Sequence, residues 1–404
     1  MSSPIHHKQL SYRPDIDGLR AFAVLAAIGY HFFPKYVRGG FVGVDIFFVI
    51  SGFLIGGILH NSLSDGTFSF WEFYARRIRR IFPALILVMA AALVFGWFAL
   101  LPDDYQNLGK HTLGGAGFVS NLILWRESGY FDVAMARKPL MHLWSLGIEE
   151  QFYIVLPLFL WGLSRKGMRP LTFLLLFFFI SFAANLAVYK RHPVFDFYAP
   201  LTRFWELLAG SALALMQRSP LFTRKALALD AFLGRVCFNS PPENDGRVLR
   251  DCLSVLGILI LSASVLTTGV ARFPGKNAVW PVLGAACVII AGFCGTAQAG
   301  GWVNRRLLAW KPLVAIGLIS YPLYLWHWPL LSYAKIILGE TPHRDFRIAL
   351  IFLAFVLASL TYVCLERPIR FGISARGAKT AALILVMFMS FAGGGGGGGV
   401  FGPE

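Results

Sequence analysis

Apolar runs close to the length of a membrane-spanning helix recur along this chain of 404 residues, from residue 18 to residue 401. A helix needs about 20 predominantly apolar residues to cross the hydrocarbon core of a bilayer. Charged residues make up only 14% of the chain, whereas a soluble domain carries about 25%. The mean hydropathy is +0.62. These features exclude a soluble globule and predict an all-α integral membrane protein.

The positions of basic residues set the predicted topology of these runs. The candidate spans are residues 18–34, 41–60, 82–101, 112–125, 142–163, 171–189, 201–217, 252–270, 279–296, 313–337, 347–365 and 380–401. Basic residues in 76–80 and 165–169 place both of those loops in the cytoplasm, and three full spans cannot join two loops on one side. The short, glycine-containing run 112–125 is therefore interpreted as a re-entrant or interfacial segment. We predict about eleven transmembrane helices, with a cytoplasmic N-terminus and a periplasmic C-terminus.

This topology also explains the net charge of +16. With eleven spans, 22 of the 37 Lys and Arg residues fall in cytoplasmic loops and 11 in outer loops, which is the bias of the positive-inside rule. The basic composition therefore indicates a lipid bilayer as partner, and we expect no nucleic-acid partner. The five cysteines show neither CxxC pairing nor metal-ligand spacing, so we expect no metal site.

Ionisable side chains inside spans are functional candidates because an unpaired charge in lipid is costly. Arg20 and His31 lie eleven residues apart in the first span, which puts them on one helix face about 16 Å apart along the axis. This separation is comparable to the length of an extended pantetheine arm. A carrier whose phosphate is held at Arg20 could therefore present its thioester close to His31. The alternatives are a snorkelling arginine and a hydrogen-bonded core histidine. Asp45, at the start of the next span, would hold the tautomer of His31, or is a solvated aspartate at a loop end.

Two further segments place charge where a carrier would enter. Arg77 and Arg80 lie in the string YARRIRRIFP, and guanidinium groups bind phosphate with two parallel hydrogen bonds. The alternative is that they only fix the topology. The string that begins at His142 contains the adjacent carboxylates Glu149 and Glu150. Neighbouring helical residues point about 100° apart, so these two carboxylates cannot easily share one partner.

The remaining candidates have simpler explanations. Arg203 and Glu206 are three residues apart, a spacing at which they pair with each other. His327 lies among aromatic residues, which favours a packed structural histidine over a catalytic one. Glu366 and Pro368 end a helix at the inner face, where a proline is ordinary helix punctuation.

Taken together, these segments resemble the membrane-bound acyltransferase type-3 family from residue 12 to about residue 370. Arg20 and His31 are similar to its Arg-x10-His motif, and Glu366 with Pro368 to its Glu-x-Pro motif. Arg77 and Arg80 match its Arg-x-x-Arg motif, although Arg76 and Arg79 fit the same spacing. The strings 43–55, 142–153 and 320–329 also match its pattern. Six motifs in the expected order make the resemblance specific.

The resemblance implies an enzyme of the bacterial inner membrane that uses cytoplasmic acetyl-CoA, or another acyl-CoA, to acylate hydroxyls of a surface saccharide such as O-antigen. His31 would be the general base or would carry the acyl group, and Asp45 or Glu149 would orient it. Arg20, Arg77 and Arg80 would hold the phosphates of CoA. The supporting residues are His142, Glu150, Arg203, Glu206, His327, Glu366 and Pro368.

The resemblance also sets the expected domain organisation. Residues 1–370 form the transmembrane acyltransferase domain, with 218–251 as a cytoplasmic linker loop. Residues 371–404 add a further transmembrane helix and a glycine-rich end, which leads toward a missing periplasmic SGNH hydrolase-like domain. Either the sequence is part of a longer chain, or a separate partner supplies that domain. The alternative function is a transporter or flippase of a lipid-linked saccharide or anionic lipid, for which we expect internal inverted repeats and find none.

Overall fold

A computed structural model of the chain describes residues 12–128, 137–239, 244–271, 273–295, 300–372 and 376–396. Within these ranges the chain is helical and contains no β-strand, which confirms the all-α prediction. The α-helices are α1 (Pro14–Phe32), α2 (Gly43–Ser64), α3 (Phe70–Ala99), α4 (Pro102–Ala116), α5 (Ser120–Glu127), α6 (Leu143–Arg165), α7 (Pro170–Val188), α8 (Pro193–Tyr198), α9 (Pro200–Met216), α10 (Pro220–Cys237), α11 (Arg247–Thr267), α12 (Val279–Ala291), α13 (Lys311–Leu318), α14 (Ser320–Leu338), α15 (Arg344–Leu360), α16 (Arg367–Phe371) and α17 (Arg376–Gly396).

Six helical segments in the described part of the chain are long and apolar enough to cross a membrane. They are α3, α6, α7, α11, the segment Gly40–Ser64 that contains α2, and the segment Arg344–Phe371 that joins α15 to α16. Helices α13 and α14 add a seventh if the 66° bend between them belongs to one span. These segments support a multi-pass membrane protein. The number of eleven spans and the orientation of the termini stay predictions.

Two segments differ in detail from the sequence prediction. The run 112–125 is divided between α4 and α5, with Phe118 in the turn between them at φ 55°; this break fits the prediction that the run is not one full span. The predicted linker 218–251 is mostly helical, because it contains α10 and the start of α11. The glycine run 393–399 continues α17 as far as Gly396, and its last three residues lie outside the described ranges.

Glycines bring α2 and α9 into backbone contact, and this contact positions part of the site. A Cβ atom on Gly52 would lie 1.9 Å from the carbonyl oxygen of Leu207, and one on Gly210 would lie 2.0 Å from that of Val49. Small residues allow such close approach between membrane helices. Any larger side chain at either position would separate the two helices and the charged residues that they carry.

Candidate active site

One cavity lies between α1, α2, α3, α6 and α14 and contains about 850 Å³ of empty space, including the part that is open at its mouth. Its walls are mostly apolar. The polar lining residues are Arg20, Ser51, Arg77, Arg80, Ser145, Glu149, Tyr153, Ser320, Tyr321 and Tyr324. The cavity therefore combines mainly apolar walls with polar groups at fixed positions, which is the usual composition of a small-molecule site.

Arg20, Arg77 and Arg80 form what we call the arginine end of the cavity. Arg77 donates to Glu150 at 3.0 Å, and its guanidinium carbon lies 3.9 Å from the centre of the Tyr153 ring. Arg20 pairs with Asp17 at 3.2 Å. No hydrogen bond or ion pair joins Arg80 to any residue that the structure describes. The arginine end therefore carries more positive than negative charge and suits a phosphate ligand.

The structure separates the two arginine pairs that have the same spacing. Arg76 pairs with Glu72 at 3.2 Å and its side chain is 62% exposed, outside the cavity. Arg79 donates to the hydroxyl of Thr380 on α17 at 2.9 Å. Of these four arginines, Arg77 and Arg80 line the cavity and the other two do not, as expected of residues three apart on one face of a helix.

Glu149 and Glu150 take different partners, which confirms that these adjacent carboxylates do not share one. Glu150 is buried and pairs with Arg77. Glu149 lines the cavity and accepts hydrogen bonds from the hydroxyl groups of Ser51, at 2.6 Å, and Tyr153. The two carboxylates thus lie in different surroundings: Glu150 is next to Arg77 at the arginine end, and Glu149 is in the wall of the cavity.

His31 is bonded to a second histidine on α14. Its Nδ1 lies 2.9 Å from Nε2 of His327, and the two rings are nearly parallel, with an interplanar angle of 10°. Nδ1 of His327 lies 2.6 Å from the carbonyl oxygen of Tyr324. A carbonyl only accepts, so His327 carries its proton on Nδ1 and accepts through Nε2. His31 then donates through Nδ1, which leaves the lone pair of its Nε2 for chemistry.

This pairing corrects two expectations from the sequence. His327 is hydrogen-bonded to the candidate catalytic histidine and is not merely a packed structural residue. Asp45 does not orient His31, since its hydrogen-bond partner is Arg203 at 3.0 Å, and Glu149 is held by Ser51 and Tyr153. The aromatic neighbours of His327 concealed its role, because the sequence does not show that α14 packs against α1.

Arg203 is fully buried between two carboxylates. Its Nη2 donates to Asp45, and its Nε lies 3.1 Å from Glu206, which confirms the predicted pairing of Arg203 with Glu206. The ring centres of Phe48 and Trp144 lie 5.5 and 5.8 Å from its guanidinium carbon. A buried arginine paired in this way holds α2 against α9, and loss of one partner would leave an uncompensated charge.

Tyr324 stands between the cavity and the histidines. Its hydroxyl lies 2.8 Å from that of Ser145 and donates to the carbonyl oxygen of His142 at 3.0 Å. Tyr324 and Ser145 line the cavity and form its histidine end, whereas His31 does not line it. The His142 ring is buried, 5.8 Å from the His327 ring, and neither of its nitrogens has a hydrogen-bond partner within the described ranges. Tyr324 thus links the cavity lining to the histidines, since its ring centre lies 5.3 Å from that of His327.

Glu366 lies beside the arginine end, although the sequence indicated only a helix terminus there. It is buried in the wide helical turn Thr361–Glu366 and interacts electrostatically with Arg80, Arg370 and Arg20. Pro368 is exposed in the first turn of α16. The Glu-x-Pro spacing thus places a carboxylate against the basic cluster. The signal in the sequence that could have indicated this position of Glu366 was its fixed spacing from Pro368 next to basic residues.

A separate ion cluster lies next to the wall that packs against His31. Glu127 lies 2.6 Å from Lys110, 2.8 Å from His111 and 3.1 Å from Lys138. Burial raises the pKa of Glu127, but hydrogen bonds from these three residues outweigh it and lower that pKa to about 2. The carbonyl oxygen of Lys138 accepts from the indole of Trp328, whose ring packs 4.7 Å from that of His31. The cluster thereby fixes the wall behind His31.

Sequence comparison places this arrangement in a known context. The model of a family described as an acyltransferase domain matches residues 13–365. Peptidoglycan O-acetyltransferase OatA of Listeria monocytogenes serovar 1/2a is 31% identical over 89% of this chain and 56% of its own length. YrhL of Bacillus subtilis is 33% identical over 90% of this chain and 55% of its own length. O-acetyltransferase OatA of Staphylococcus aureus is 29% identical over 89% and 57%, respectively.

The chain spans a little over half the length of these curated relatives. No solved structure matches it significantly. The family match covers the site from Arg20 through His327 and ends one residue before Glu366. The chain belongs to the membrane-bound acyltransferase type-3 family.

Proposed function

We propose that this protein transfers an acetyl or other short acyl group from cytoplasmic acyl-CoA to a hydroxyl of a saccharide outside a bacterial cytoplasmic membrane. The observation that carries the proposal is one arrangement: a cavity with three arginines at one end and Tyr324 at the other, with the His31–His327 pair beside Tyr324. Such a cavity suits a donor that is anionic at one end and reactive at the other. The positive-inside rule puts the arginine end at the cytoplasmic side.

The arginine end would hold the phosphates of CoA. Arg80 is available for this because it has no ion pair within the described part of the chain, and Arg77 is kept in place by Glu150 and Tyr153. Glu366 offsets part of the positive charge of the cluster when no anion is bound. With the nucleotide held there, the pantetheine arm would lie along the cavity, and its thioester would pass Tyr324 toward His31.

His31 would act through Nε2. As general base, it takes the proton of the acceptor hydroxyl while the hydroxyl oxygen attacks the thioester carbonyl. A C–O bond forms, the C–S bond breaks, and His31 returns the proton to the CoA thiolate. His327 would accept a hydrogen bond from Nδ1 throughout and so stabilise the positive charge on His31. Alternatively, Nε2 attacks the thioester carbonyl first: an N–C bond forms, the C–S bond breaks, and CoA leaves as its thiolate. The acceptor hydroxyl then takes the acyl group from the acyl-imidazole, and its proton passes to Nε2.

The acceptor is proposed from the names of the relatives. OatA of Listeria is called a peptidoglycan O-acetyltransferase, YrhL a putative one, and OatA of Staphylococcus an O-acetyltransferase. These names favour peptidoglycan over the O-antigen that the family resemblance suggested. Those relatives are longer than this chain. An SGNH-type periplasmic domain or partner would then take the acyl group to the final acceptor.

The proposal is tested with purified protein in vesicles and acetyl-CoA that carries a radiolabelled acetyl group. We expect the protein to release CoA and to pass label to itself or to added peptidoglycan fragments, and His31→Ala to abolish both. A protein that folds normally but neither releases CoA nor accepts label would contradict the proposal and favour transport. Release that is equal in the wild type and in His31→Ala would remove His31 from the mechanism.

A further inference from the structure

The face of α6 that lines the cavity carries three polar side chains. Ser145, Glu149 and Tyr153 are four residues apart and line the cavity on one face of the helix, so each lies about 6 Å from the next along the axis. Tyr153 contacts Arg77 at the arginine end, and Ser145 contacts Tyr324 at the histidine end. Glu149 is therefore placed between the two ends.

The hydrogen bonds of Glu149 leave it able to accept one more. Both Ser51 and Tyr153 donate to the same oxygen, Oε1. These two donors fix the position of the carboxylate. Within the described part of the chain, its second oxygen, Oε2, has no hydrogen-bond partner, and Glu149 is the only carboxylate among the lining residues. An ionised carboxylate only accepts hydrogen bonds, so this position in the passage selects for an N–H or O–H donor.

We propose that Glu149 recognises the carrier arm of the donor by accepting a hydrogen bond from one of its amide N–H groups; this inference rests on the proposed function. A pantetheine arm is an aliphatic chain interrupted by two secondary amides. The aliphatic parts fit the apolar walls, which include Phe48 and Leu325. A buried amide needs a partner, and Glu149 supplies one between the phosphate site and the histidines. Glu149 is thus a residue for binding and positioning the donor.

The test compares two ligands on two proteins by equilibrium binding in detergent. The ligands are CoA and adenosine 3′-phosphate 5′-diphosphate, which keeps the nucleotide and lacks the arm. In Glu149→Gln, the amide oxygen still accepts from both hydroxyls, and the amide NH2 then faces the N–H of the arm. A hydrogen bond to a charged group accounts for about 10- to 150-fold in affinity. We expect Glu149→Gln to lower the affinity for CoA by that factor and the affinity for the armless nucleotide by less than about twofold.

A second measurement keeps the wild-type protein and changes the ligand. A CoA analogue in which the amide N–H groups are N-methylated should bind the wild type as weakly as CoA binds Glu149→Gln. Equal affinity of CoA for the wild type and Glu149→Gln would overturn the inference and leave the proposed function intact. Equal weakening of both ligands would also overturn it, because the effect would then not involve the arm. If neither ligand bound the wild type, the proposed function and this inference would fail together.

Discussion

Arg80→Ala is the sharpest test of the proposed phosphate site. Arg80 lines the cavity and has no hydrogen bond or ion pair to another residue in the described ranges. Its replacement by alanine therefore breaks no such contact. Glu366, which interacts with Arg80, keeps Arg370 and Arg20 nearby. Arg77→Ala is less informative, because Glu150 is only 9% exposed and would be left as an unpaired buried carboxylate.

The expected magnitude follows from the hydrogen bond that is lost. A charge-assisted hydrogen bond from arginine to phosphate contributes about 1.5–3 kcal/mol, which corresponds to a 10- to 150-fold weaker Kd. Arg80→Lys keeps the charge and loses the two-pronged geometry, so it should restore only part of that affinity. The matched control is Arg76→Ala, since Arg76 has the same motif spacing and forms an exposed pair with Glu72. That variant should change Kd by less than about twofold.

The assay is isothermal titration of detergent-purified protein with CoA, together with a melting curve for each variant. The account requires a large loss of affinity for Arg80→Ala, almost none for Arg76→Ala, and similar melting temperatures for all. Equal Kd values for Arg80→Ala and the wild type would show that Arg80 only fixes the topology. Equal losses in both variants would point to a general charge effect at the membrane surface.

Three further results are expected. His327→Gln retains an acceptor for His31 and should keep more acyl transfer than His327→Ala; equal rates and equal pH profiles in the two variants would assign His327 to packing alone. Arg203→Met should lower the unfolding free energy by about 3–5 kcal/mol, and adding Asp45→Asn with Glu206→Gln should recover much of it; a melting curve unchanged by Arg203→Met alone would contradict a structural ion cluster. The lowered pKa of Glu127 implies a stabilisation of the fold that is complete above about pH 4.5 and is lost as the pH falls toward 2. It amounts to about 1–2 kcal/mol, because Lys110 is half exposed and solvent weakens its pair with Glu127. Glu127→Gln should therefore melt at a lower temperature than the wild type at pH 7 and at the same temperature at pH 2; a difference in melting temperature that persists at pH 2 would exclude this origin.

The sequence was informative wherever one helix determines the geometry. The placement of Arg77 and Arg80 on one face, the divergence of Glu149 and Glu150 and the pairing of Arg203 with Glu206 all follow from the 3.6-residue period. The same period puts Arg20 and His31 on one side of α1. These relations are local, and the structure contains the corresponding contacts.

The sequence was least informative where two distant helices meet. His31 and His327 are 296 residues apart in the chain, and Asp45 and Arg203 are 158 apart. No periodicity shows which helices become neighbours, so nearness of Asp45 to His31 in the chain suggested a pair that packing does not form. The contact between α2 and α9, made possible by Gly52 and Gly210, instead brings Arg203 to Asp45.

The central claim is that a donor entering at the arginine end reaches the position of His31 past Tyr324. It can be measured with His31→Cys in a background where the five free cysteines are replaced, treated with bromoacetyl-CoA. The thiolate forms an S–C bond and breaks the C–Br bond only if the bromomethylene carbon, next to the thioester carbonyl, arrives at that position. The account predicts near-complete alkylation that excess CoA blocks and that Arg80→Ala slows, with Val24→Cys, fully buried on the same helix, unlabelled. Alkylation of His31→Cys by small bromoacetamide but not by bromoacetyl-CoA would contradict the account.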